Sequence, residues 1–179
     1  VGSEMCIRDR YYVVSLIGKT LVLLIAPINT IVISYLTKRK ERLTRSQFGK
    51  AVLAGGGVSL VFFVACQIGT PLFVWLFYRN LYESVKGIVT VVNLAQILGL
   101  FSAFLFILVL TFTDERWQLW IQLTHFCILL VSSVLAARTY GMMGFAVASL
   151  GANSLRVAAV VILGIVKAGK DKGDRNADR

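Results

Sequence analysis

Two cations, Lys19 and Arg156, fall inside long apolar stretches of this chain, while all nine acids, from Glu4 to Asp178, lie outside them. A charge held at bilayer depth is expensive, so an intramembrane Lys or Arg with no carboxylate beside it marks a candidate site for an anionic ligand. Snorkelling is the competing reading. Lys19 lies eight residues past Tyr11, ~12 Å along a helix, and its long stem can reach the interface. Arg156 lies eleven residues before Lys167, ~16 Å by the same rise, which favours a polar cavity over escape to the headgroups.

Polar neighbours at helical spacing join Arg156. Ser149, Asn153 and Arg156 stand at i, i+4 and i+7 on one face, beside a small-residue stripe of Gly144, Ala148 and Ala152. Gln118, Gln122, His125 and Ser132 fall near one face of the preceding apolar stretch, and Asn93 and Gln96 form an i, i+3 pair further upstream. Such side chains either join helices by hydrogen bonds or line a path; for His125, Asn29 and Gln67 the first role is the expectation. Lys19, Gln122, His125, Ser149, Asn153 and Arg156 are therefore the candidate cavity residues. Pro27 and Pro71 each remove a backbone donor inside an apolar run, and Gly55, Gly56 and Gly57 carry no side chain, so these five are candidate bend positions.

Enzyme chemistry finds no foothold. The Gly18-Lys19-Thr20 triplet echoes a phosphate-binding loop, but position 13, where the leading glycine belongs, is Val13. Cys6, Cys66 and Cys127 have no metal-ligand spacing, HExxH and GxSxG are missing, and one histidine with all acids in connectors or at chain ends builds no acid–base or nucleophile constellation. No catalytic residue, metal or cofactor is expected.

The elements that must position the candidates are membrane spans. The 179 residues are 57% hydrophobic and 16% charged with a mean hydropathy of +0.76, whereas a soluble domain carries about 25% charge. Five stretches reach the ~20 apolar residues that a bilayer core requires: 11–36, 51–77, 87–112, 118–137 and 140–166. Residues 1–10 start on Val, resemble a translated adapter rather than a signal peptide, and suggest that the true N-terminus is missing. A polar basic tail follows from Lys167.

A net charge of +10 raises the question of nucleic acid, but the charge is confined to short connectors. Connector 37–50, Arg116 and the tail hold twelve Lys and Arg, against five at most at the opposite ends. The positive-inside rule puts that basic side, and the C-terminus, in the cytoplasm, where the cluster is also compatible with lipid headgroups. Nucleic acid is not expected as a partner. Tyr11, Tyr12, Trp75, Tyr78, Tyr82, Trp117, Trp120 and Tyr140 lie near the span ends, the level that amphipathic rings prefer.

Three segments in order carry a family resemblance: "APINTIVISYLTKRKE", an early proline leading to a basic loop; "TPLFVWLFYRNLYES", a proline-marked apolar run before an aromatic-rich loop; and "YGMMGFAVASLGANSLR", a glycine- and alanine-rich helix opening. From about Ile25 to Val166 the chain resembles the C-terminal part of polysaccharide transporters, the O-antigen and lipid-linked oligosaccharide flippases of the multidrug/oligosaccharidyl-lipid/polysaccharide exporter superfamily. It departs from them after Phe77, where a glycine is usual and Tyr78-Arg79-Asn80 stands here.

The resemblance implies an all-α integral membrane protein whose five transmembrane helices are an incomplete C-terminal six-helix bundle of a two-bundle transporter. The partners it implies are membrane lipids, a lipid-diphosphate-linked glycan and the missing N-terminal bundle. It further implies multi-pass residence in a bacterial inner membrane and alternating access; on that expectation the spacing of the polar residues, not a motif of the family, assigns Lys19 and Arg156 to substrate charge and Asn153 and Gln122 to sugar. Two other readings share the helix plan: a drug or metabolite antiporter of the same superfamily, and a stand-alone small membrane partner or assembly subunit.

Overall fold

The computed structural model describes residues 11–16, 18–20, 23, 31, 34, 45–110, 113 and 115–177. Among these only Tyr78 and Thr113 fall outside helices. Three long helices follow one another: α1 (Arg45–Phe77), α2 (Arg79–Leu110) and α3 (Glu115–Ala177). Each is long and apolar enough to cross a membrane. The reason is compositional: long runs of Leu, Val, Ile, Phe and Ala favour burial in hydrocarbon, and a helix there satisfies every backbone N–H and C=O internally.

The five expected spans thus become three long apolar helices among the described residues. Most of the first span, including Pro27 and Asn29, lies outside the described residues, as do positions 1–10 and 37–44. The fourth and fifth run together in α3, interrupted at Gly141, which has φ 60° and ψ −138°. Only glycine adopts that conformation readily, and it turns the chain back on itself. Residues 28 apart on a straight helix stand ~42 Å from each other, yet His125 Nε2 lies 3.2 Å from Asn153 Oδ1. Lys167 Nζ likewise sits 5.9 Å from the Trp117 ring. α3 is therefore a helical hairpin with limbs 115–140 and 142–177. At its tip Gly144 lies against the Ala136 carbonyl so tightly that an added Cβ would collide with backbone.

Helix boundaries also differ from those expected. The connector expected at 78–86 is helical except for Tyr78, because Arg79–Lys86 holds no Gly or Pro and gains an i, i+3 ion pair between Glu83 and Lys86. The polar tail continues the helix to Ala177. Pro71 sits inside α1 without ending it, and the Gly55–Gly57 run is helical throughout. Gly55 serves close approach: a Cβ there would meet the Phe104 ring at 2.6 Å.

α2 lies at the centre. It contributes Val85, Ile88, Val89, Val92, Asn93, Ala95, Ile97, Ser102, Leu105, Leu108 and Val109 to the buried set, whereas α1 contributes Phe48, Cys66, Thr70 and Val74. Two apolar clusters cap its ends. One joins Val13, Val14, Val74, Val85, Ile88, Val89, Val92 and Ala146; the other joins Phe48, Leu105, Leu108, Val109 and Val160. The pairings make α1 antiparallel to α2 and the second limb of α3 parallel to it. The candidate residues His125, Asn153 and Arg156 lie between the two clusters.

Candidate functional site

Between the clusters, α2 and the α3 hairpin share one polar junction. Asn153 Nδ2 donates to the Ala95 carbonyl at 2.8 Å, and its Oδ1 faces His125 Nε2 at 3.2 Å. Gly99, one turn beyond Ala95, leaves room for the amide: a Cβ there would stand 3.4 Å from Asn153 Nδ2. One residue thus ties both limbs of α3 to α2.

Arg156 follows Asn153 by one turn. Its guanidinium carbon lies 5.5 Å from the centre of the Phe106 ring, and its buried Nε has no hydrogen-bond partner among the described residues. Placing Arg near the middle of a bilayer costs about 3 kcal/mol on insertion scales, and a cation–π contact returns ~0.5–2 kcal/mol. The position is near the middle of the limb. Arg156 is fifteen residues after Gly141 and eleven before Lys167, ~22 Å and ~16 Å along the limb.

The other candidates disperse. Lys19 is exposed, with Nζ 4.6 Å from the Tyr12 ring, an arrangement that fits a stem running toward an aromatic-lined interface. Gln122 is exposed one turn before His125 on the first limb, and Ser149 is buried one turn before Asn153 on the second. The structure therefore brings together His125, Asn153 and Arg156, flanked by Gln122 and Ser149, and leaves Lys19 apart. Among the described residues no group of His, Cys, Asp and Glu could hold a metal ion.

A second polar cluster, only half visible in the sequence, lies between α1 and α2. Asn93, 1% exposed, donates to the Cys66 carbonyl at 3.1 Å and to Gln67 Oε1 at 3.0 Å, and accepts from Thr70 Oγ1 at 3.2 Å. Gln67 Nε2 in turn donates to Thr90 Oγ1 at 2.9 Å. Gln67, expected to make an interhelical bond, does so. The sequence signals Thr70 and Thr90 only through the i, i+3 spacing of Thr90 with Asn93 and of Gln67 with Thr70. Asn93 and Gln96 diverge: Gln96 Nε2 donates to the Ser15 carbonyl at 3.3 Å, pinning the N-terminal helical segment to α2.

Fold and site together define an all-helical chain with membrane-length apolar helices and a polar junction at mid-length. The chain matches no family model, no curated protein sequence and no solved structure.

Proposed function

We propose that this chain is part of a membrane flippase or exporter that moves lipid-linked oligosaccharide or polysaccharide precursors by alternating access. Five spans then cross a bacterial inner membrane, the first beginning outside and the C-terminus lying in the cytoplasm, and the missing bundle supplies the opposite wall of the cavity. The single observation that carries the reading is Arg156, a half-buried cation in an apolar helix with no carboxylate partner among the described residues. An unpaired cation near mid-bilayer is stabilised by an anionic cargo, and transporters built from repeated halves place their cargo at that depth. A lipid diphosphate supplies the charge, and Asn153 and Gln122 supply bonds to sugar.

The test uses the chain with its native flanking sequence in proteoliposomes, following a fluorescent lipid-diphosphate oligosaccharide across the bilayer. Loss of a charge-assisted contact in Arg156→Gln lowers the rate by about tenfold or more, with membrane insertion unchanged. Lys19→Gln lowers it as well if both cations draw the cargo. Wild-type rates in both variants would remove the basis of the proposal.

A further inference from the structure

Lys167 and Trp117 stand at the open end of the α3 hairpin, on opposite limbs, with the Lys167 ammonium 5.9 Å from the centre of the Trp117 ring. The depth of this pair follows from the length of the limbs. Gly141 marks the tip. Trp117 is twenty-four residues before it and Lys167 twenty-six after, ~36 Å and ~39 Å of helix. Both lengths exceed the ~30 Å hydrocarbon core and fall within the ~40–45 Å that includes the headgroups. With the tip at one interface, ring and ammonium reach the headgroup layer of the other.

Other cations gather at the same end. α1 begins there with Arg45 and Lys50, and its Phe48 ring packs against Gly164, one turn before Lys167. Arg116 directly precedes Trp117. Arg45, Lys50 and Arg116 are exposed, and neither they nor Lys167 form an ion pair among the described residues. The sequence also puts Asp114 and Glu115 before Arg116 and Asp171 four residues after Lys167, but exposed pairs of that kind are weak. The opposite end differs: Lys86 is paired with Glu83, and Arg79 lies over Trp75, its neighbour four residues back in the chain.

We infer that the open end of the hairpin holds an anionic glycerophospholipid: the Lys167 ammonium donates to its phosphate, and the Trp117 ring lies against its glycerol and first acyl carbons. A cation–π contact occupies the ring face but leaves the ammonium N–H donors for a ligand. Trp117 is 52% exposed, and Trp120, one turn deeper, is exposed as well. That apolar surface is of use only to a ligand with chains, which favours a phospholipid over a soluble phosphate. The surrounding cations favour a headgroup of net negative charge over a zwitterionic one, and basic niches between membrane helices bind such headgroups. Because ring and ammonium belong to different limbs, the lipid is held between them. The site lies at the helix ends, apart from the junction of His125, Asn153 and Arg156, and does not depend on the export reading.

The chain with its native flanking sequence, every tryptophan except Trp117 replaced by phenylalanine, is reconstituted in phosphatidylcholine bilayers containing a fixed fraction of phosphatidylglycerol. Bromine on the acyl chains of one lipid or the other quenches the fluorescence of a ring beside it. Brominated phosphatidylglycerol quenches Trp117 as though enriched about fivefold over its bulk fraction, the worth of one cation at an anionic surface. Lys167→Gln returns the quenching to the bulk fraction, and Lys167→Arg keeps the enrichment. In a second version that retains Trp75 alone, Lys167→Gln changes nothing, which separates a local loss from a loss of fold. Quenching in proportion to bulk composition in the parent protein, or enrichment that survives Lys167→Gln, would overturn the inference. Displacement of the brominated lipid by inorganic phosphate would assign the niche to a soluble anion, and displacement by a stoichiometric amount of polyprenyl diphosphate would assign it to cargo; either result also overturns it.

Discussion

Asn93 bonds three groups of a single stretch of α1, the Cys66 carbonyl, Gln67 and Thr70, from a position that is almost wholly buried. In lipid an interhelical hydrogen bond averages ~0.6 kcal/mol, less than in water because the separated helices also find partners. Three such bonds, with the orphaned groups that their loss leaves, put the cost of Asn93→Ala at about 2 kcal/mol. Titration with a denaturing detergent measures it. A cost indistinguishable from zero would mean that apolar packing alone joins α1 to α2. The network sits one turn before Pro71, which removes the N–H that the Gln67 carbonyl would otherwise receive. Asn153 is different in kind, since it joins both limbs of α3 to α2: its amide nitrogen donates to the Ala95 carbonyl and its oxygen faces His125 Nε2. Asn153→Leu therefore loosens the hold of α2 on the hairpin, at a cost of about 1–2 kcal/mol, and the same detergent titration measures it.

At the scale of elements, the hairpin of α3 depends on two glycines for two separate reasons. Gly141 holds a backbone conformation, φ 60° and ψ −138°, that costs other residues about 1–3 kcal/mol. Gly144 allows the limbs to touch, because a Cβ there would run into the Ala136 carbonyl carbon and oxygen, which cannot rotate aside as a side chain would. Gly144→Leu consequently splays the tip and lengthens the His125–Asn153 contact. A spin-label distance between positions on the two limbs increases in that variant, while Gly151→Leu, where nothing lies within 4 Å of an added Cβ, leaves it unchanged. Gly56 and Gly57 were bend candidates, yet α1 is helical through both, and Gly55 accommodates the rings of Phe101 and Phe104. Runs of small residues permit both bending and close packing, and only the neighbour decides between them.

For the whole molecule, the described cations of the helix ends, Lys19 and Arg156 set aside, sort to two ends. Arg45, Lys50, Arg116 and Lys167 lie at the end where α1 and α3 begin and the hairpin returns; Arg79, Lys86 and Arg138 lie at the other. In a chain freed of its native cysteines, a membrane-impermeant thiol reagent labels Lys50→Cys and Lys167→Cys from one side of the membrane and Arg79→Cys and Thr139→Cys from the other. Mixed labelling would contradict the alternating path of the helices. This much was legible in the residues themselves: that the chain is helical, that its helices are membrane-length and apolar, and where their charged ends lie. Hydropathy and the spacing of Lys and Arg report those properties through local composition alone. Helical spacing also aligned Asn153 with Arg156 and Gln122 with His125, because residues three and four apart must share a face. It could not say that His125 would meet Asn153 rather than some other polar group, that Lys19 would remain apart, or that Thr70 and Thr90 would complete the Asn93 network. Those pairings join residues 23 to 28 positions apart. They exist because single-residue turns at Tyr78 and Gly141 set the register of neighbouring helices, and register between helices is a property of packing, which local pattern does not encode.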